Sequence, residues 1–146
     1  MSALSNLAKI IPVRTKRISS YDRTGGNRDH TDIPARETLT LCEIEGAGVI
    51  THIWITISSK DELCRKNLVL RMYWDGQEHP SVEAPIGDFF GQGWGLKYNY
   101  VSLPLAAAPR DGNALVCYFP MPFGSRARIT VENESDIPCG AFYYYV

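Results

Sequence analysis

Gly48-Val-Ile-Thr-His-Ile-Trp-Ile-Thr-Ile-Ser58 is the stretch on which the fold turns. Ile53, Ile55 and Ile57 fall on one side of an extended chain and His52, Trp54 and Thr56 on the other, because successive strand side chains point to opposite faces. The period is two, so this segment reads as a strand with one buried face. Working outward, Thr38–Ile44 precedes it as a second β-branched run. Lys60–Lys66 can form one helical turn, and Leu68–Trp74 then runs into Asp75-Gly76, a strong hairpin signal. Further strands are expected over Ser81–Ala84, Tyr100–Leu103, Ala114–Phe119, Arg126–Glu132 and Ala141–Val146, between Pro and Gly punctuation. In Arg126–Glu132, Ala127, Ile129 and Val131 alternate with Arg128, Thr130 and Glu132. About eight antiparallel strands without long helices make an all-β domain, either a two-sheet sandwich or a closed barrel. The terminal Phe142–Val146 run is apolar, so it is either paired in a sheet or covered by another subunit.

Two segments flank this β pattern. Leu4, Leu7, Ala8 and Ile11 recur at helical spacing before Pro12, predicting a short helix or arm over residues 1–13. Residues 19–32 are polar, contain Gly25-Gly26-Asn27, and read as a loop.

The 146 residues fit one domain, 1–146, and their 45% hydrophobic and 21% charged content is that of a globular chain. Fifteen basic against sixteen acidic residues leave a net charge of −1, so no global field would hold nucleic acid or an anionic membrane. No stretch reaches the roughly 20 apolar residues of a membrane span. Met1–Val13 lacks a long apolar region and a small-residue cleavage site, so a cytoplasmic location is expected. Cys42, Cys64, Cys117 and Cys139 form no Cys-x-x-Cys pair, and two lie in apolar strand-like runs. They are expected to be reduced and structural. His30, His52 and His79 are scattered and no Gly-x-Ser-x-Gly is present, so neither a metal, a cofactor nor a serine nucleophile is expected.

Candidate chemistry lies in two places. In Ser19–Asp29, Tyr21, Asp22, Arg23, Asn27 and Asp29 combine an aromatic face with bidentate donors and acceptors, a set suited to a polyol. The same residues also fit a capped surface turn in which Asp22 pairs with an arginine and Asn27 is left-handed. In Asp75–Gly95, Glu83 and Asp88 beside Phe89, Phe90 and Trp94 could form a carboxylate pair for acid and base work. Alternatively, Glu83 faces solvent on an edge strand and Asp88 caps a turn. The polar loop is expected to line one cleft with Gly87–Trp94.

Ser19–Asn27, Gly48–Trp54, Leu70–Gly76, Pro80–Glu83, Gly87–Gly91 and Tyr118–Phe123 together resemble the first half of glycoside hydrolase family 172, formerly domain of unknown function 2961. The resemblance implies a single jelly-roll β-sandwich corresponding to the first of the family's two tandem rolls. It also implies furanoside sugars as ligands and a retaining mechanism with two glutamates, both carried by the second roll. Laying that second-roll pattern on this chain puts Gly87 at one glutamate position and a residue near Leu70 at the other. The catalytic pair is therefore expected to be missing. The family assembles as trimers or larger rings, so a one-roll chain is expected to self-associate, as a hexamer first and as a trimer or pentamer otherwise. Phe142–Val146 and the N-terminal helix are the surfaces expected at those contacts. The resemblance leaves two functions open: a carbohydrate-active or carbohydrate-binding protein with its site between subunits, and a non-catalytic assembly protein related to double-jelly-roll capsid proteins.

Overall fold

The computed structural model describes residues 9–146. The strands are β1 (Thr31–Ile33), β2 (Thr38–Glu45), β3 (Gly48–Ile50), β4 (Ile53–Ser58), β5 (Leu68–Trp74), β6 (Val82–Pro85), β7 (Tyr100–Val101), β8 (Leu105–Ala108), β9 (Ala114–Cys117), β10 (Met121–Phe123), β11 (Arg126–Asn133) and β12 (Cys139–Tyr145). Two one-turn helices, α1 (Cys64–Asn67) and α2 (Ile86–Phe89), and a 3-10 turn at Gly93–Gly95 lie between them.

The pairing is that of one long antiparallel hairpin rolled on itself. β1 pairs with β12, β2 with β11, β3 with β10 and β4 with β9, while β5 pairs with β6 near the fold-back. Rolling brings β12 against β4 and β11 against β5. The result is a six-stranded sheet, β1-β12-β4-β9-β8-β7, a four-stranded sheet, β2-β11-β5-β6, and the small β10-β3 pair. This nested order is a jelly roll, with β7 and β8 extending one edge beyond the eight-strand frame. The sandwich is thus chosen over the barrel.

Alternation builds the core as the sequence predicts. Ile53 and Ile55 of β4, and Ala127, Ile129 and Val131 of β11, are fully buried. Leu70, Met72, Leu115 and Phe142 close the space between the sheets. The Asp75-Gly76 turn forms with both residues at positive φ, 54° and 78°, and Gln77 N–H donates to the Trp74 carbonyl at 3.0 Å. That geometry matches the twist of the flanking strands. The single strand expected over Gly48–Ser58 is instead two, β3 and β4, with Thr51 and His52 at the break.

Phe142–Val146 is not a bare edge: β12 lies inside the six-stranded sheet, with β4 on one side. On its other side the β1 pairing is continued by Ile18–Ser20, whose backbone bonds Tyr144 and Val146 at 2.8–3.0 Å. Its inward residues Phe142 and Tyr144 belong to the core, while Tyr143, Tyr145 and Val146 stay partly exposed. The expected helix over Ala3–Ile11 lies largely outside the described residues; residues 9–13 carry no regular element, and Ile10, Ile11 and Val13 are exposed.

Candidate functional site

The polar loop is an excursion from one lateral edge of the sandwich. The chain runs beside β12 at Ile18–Ser20, leaves it, and rejoins it as β1. Asp22 organises the excursion from within. Its carboxylate accepts from the Thr24 hydroxyl at 2.7 Å and from the backbone N–H groups of Thr24 and Arg28 at 2.9 and 3.1 Å. The Thr24 hydroxyl, then these N–H groups, hold it below the usual carboxylate range. Asp29 Oδ1 accepts from the Asp22 N–H at 2.8 Å. A Cβ on Gly26 would sit 2.8 Å from Asp22 Oδ2, so a larger residue there would displace the carboxylate that organises the loop. Asn27 is left-handed, as the turn reading has it (φ 65°), but Asp22 is satisfied by Thr24 and backbone rather than by an arginine side chain. Asp22 and Asp29 therefore build the loop, while Tyr21, Arg23 and Asn27 present exposed side chains.

Glu83 and Asp88 are held apart in function. Glu83 stands opposite Arg71 on β6, an edge strand, and is ion-paired with it. Arg71 also binds Glu132 and, at 3.4 Å, Glu134, making a row of charges on the outer face of the four-stranded sheet. Glu83, and after it Glu132, hold the guanidinium more firmly protonated than usual. Asp88, one residue after buried Gly87 in α2, is ion-paired with Lys66 of α1. Glu83 and Asp88 thus pair with different cations.

The segment after Asp88 is braced from below. Phe89 packs against the core and meets Phe90 edge to face, with ring centroids 4.9 Å apart. Arg65 and Gln92 are fully buried and both donate to the Gly112 carbonyl, at 3.2 and 3.0 Å. Between them lies Gly87, where a Cβ would come within 2.8 Å of the Gln92 carbonyl and 2.9 Å of Arg65 Cβ. Trp94 is the opposite case: it is 90% exposed and held at φ 65°, a strained backbone for a tryptophan. The Gly93–Gly95 turn lifts its indole clear of the surface.

The polar loop and the Trp94 segment do not line one cleft within a chain. The polar loop hangs on β1, and the Trp94 segment leads from β6, an edge of the four-stranded sheet, into β7. β1 and β7 are the two edges of the six-stranded sheet, five strand spacings apart, or roughly 24 Å. The sequence could not show this, because it depends on which strands become neighbours.

Sequence reasoning also missed Arg65, Lys66, Arg71 and Gln92, whose partners lie 20 to 63 residues away in several cases. It noted His52 and Trp54 on one strand face without foreseeing the row they join. Tyr145 stacks on Trp54 at 5.0 Å and lies 5.2 Å from His52, which stacks on Tyr118 at 5.0 Å. The cross-strand pairing of Trp54 with Tyr145 creates that row. All four cysteines are free and buried, as expected. Among the described residues no cluster of metal-ligating side chains occurs, and no helix is long and apolar enough to cross a membrane.

A family model described as GH172 domain-like matches residues 25–141 of the 146. No curated protein matches the chain.

Proposed function

The chain belongs to the GH172 domain-like family, and from that premise we propose that it is a furanoside-binding, self-assembling protein that lacks hydrolytic power of its own. The carrying observation is the fate of the two positions at which the family resemblance would put the glutamates. Gly87 is buried with no room for even a Cβ, and the stretch near Leu70, where the other position falls, lies in β5 with Leu68, Val69, Leu70 and Met72 buried. A proton donor and a nucleophile must both reach a sugar. The carboxylates that are present, Glu83 and Asp88, are ion-paired with two different cations, Arg71 and Lys66.

The separated loops support a sugar site between copies. When like rolls stand side by side in a ring, the β1 edge of one copy faces the β7 edge of the next, a head-to-tail contact that closes by rotation. Tyr21, Arg23 and Asn27 of one copy would then meet Trp94 of its neighbour, joining hydrogen-bonding groups to an aromatic face. A hexamer is the favoured closure. The competing reading, assembly without sugar, shares the ring and differs only in the ligand.

Light scattering at low micromolar concentration should give a mass near six times 16.3 kDa, and a stable monomer would defeat the between-copies site. Mixing an Arg23→Ala variant with a Trp94→Ala variant should restore part of the furanoside binding that each lacks, because some junctions in the mixed ring carry both intact loops. Nitrophenyl furanosides should not be turned over, and Glu83→Gln should leave that unchanged. Turnover abolished by Glu83→Gln or Asp88→Asn would overturn the non-hydrolytic reading.

A further inference from the structure

Beside the strand from which the polar loop departs, a cavity of about 710 Å³ opens where the N-terminal arm crosses the β3 end of the sandwich. Its volume is in the range that holds small ligands. The interior side is apolar, with Ile18, Ile44 and Phe123. One wall is aromatic: His52 and Tyr145 line it, and both belong to the stacked row that includes Trp54 and Tyr118. Burial keeps His52 below the usual imidazole range, so at neutral pH it serves as a ring and adds no charge. The rim is cationic, with Arg14, Lys16 and Arg17 within four residues, and the Arg17 guanidinium stands 6.0 Å from the centre of the Tyr145 ring.

No carboxylate among the described residues pairs with these three cations. The acidic side chain in the lining, Glu45, is engaged by Arg126 at 3.2 Å. Even with a carboxylate counted at Val146, positive charge is in excess around the cavity. The chain as a whole carries −1, so this is a local device and not part of a field suited to a polynucleotide.

We infer that this cavity is a binding site for a sugar bearing one anionic group, a phosphate or a carboxylate. The aromatic wall takes the apolar face of the ring, and the Arg14, Lys16 and Arg17 rim takes the anion through charge-assisted hydrogen bonds. The site is independent of the furanoside reading of the loops, since it uses none of their residues. The two fail separately: Trp94→Gly tests the loops and leaves the arm intact.

Isothermal titration calorimetry at low salt tests the site with four probes: fructose 6-phosphate, glucuronate, neutral fructose and inorganic phosphate. Binding of fructose 6-phosphate or glucuronate about tenfold or more above fructose is expected. The triple variant Arg14→Ser, Lys16→Ser, Arg17→Ser changes only exposed side chains of the arm, and it should lose that preference while its circular dichroism and melting stay unchanged. His52→Leu should weaken the anionic sugar and leave inorganic phosphate unaffected. Equal binding of fructose and fructose 6-phosphate, full retention in the triple variant, or inorganic phosphate binding as well as either sugar would overturn the inference.

Discussion

Replacing Gly87 by alanine tests the steric argument on which the missing catalytic pair rests. The new Cβ would lie 2.8 Å from the Gln92 carbonyl oxygen, 2.9 Å from Arg65 Cβ and 3.0 Å from the Arg65 carbonyl oxygen. Comfortable carbon contacts are about 3.5 Å or longer, so the α1 and Gln92 backbones must part by roughly 0.5 Å. Gln92 and Arg65 are both tied to Gly112, which resists that movement. Overpacking of this kind costs about 1–3 kcal/mol. An unfolding entropy of about 2.1 cal/mol/K per residue over 146 residues gives about 0.3 kcal/mol/K. The melting temperature should therefore fall by about 3–10 °C. Gly140→Ala is the control, since a Cβ there meets no atom within 4 Å; its change should stay within about 0.5 kcal/mol, or about 2 °C. Thermal unfolding followed by circular dichroism reads both. If Gly87→Ala melts with the parent protein, the cradle is soft enough to admit a side chain, and the structural exclusion of a glutamate at this position fails.

The Asp75 carboxylate accepts from the N–H groups of Ser125, Gly124 and Arg126, which hold it below its usual range and tie the β5 turn to the start of β11. A depressed folded value means a contribution that is complete above the unfolded value near 3.8 and is lost as pH falls through the folded one. Urea midpoints should therefore drop below about pH 4, and Asp75→Asn should lower the neutral midpoint while flattening that acid limb; an unchanged pH profile would refute the assignment. Burial raises all four thiols, Cys42 and Cys139 to about 11. Iodoacetamide at pH 8 should thus label the native protein slowly and the denatured protein fully, as mass spectrometry can show, whereas rapid native labelling would contradict their burial. Trp94→Gly removes a side chain from a left-handed backbone, so stability should hold or rise by up to about 1 kcal/mol while furanoside binding falls; a clear loss of stability would show that the indole packs.

Much of the fold was legible because strand alternation is a property of neighbouring residues. Ile53 and Ile55, or Ala127, Ile129 and Val131, declare a buried face within five positions, and Asp75-Gly76 declares a turn within two. The short strands were not legible. β1 and β10 have three residues each, too few to show a period, and Pro122 removes a donor from β10, which pairs with β3 alone. The candidate site was legible as composition and not as geometry. Tyr21, Arg23, Asn27 and Trp94 have the side chains for sugar, but only the rolled hairpin puts them on opposite edges of one copy. The sequence by itself determined an all-β domain, its inner faces, its principal hairpin and its family kinship. Tertiary structure decided the jelly roll over the barrel, paired Glu83 with Arg71 and Asp88 with Lys66, and closed the space around Gly87. The physical reason is range: backbone sterics and burial periodicity act over a few residues, whereas β1 meets β12 and Arg71 meets Glu134 only when more than 60 intervening residues have been rolled into place.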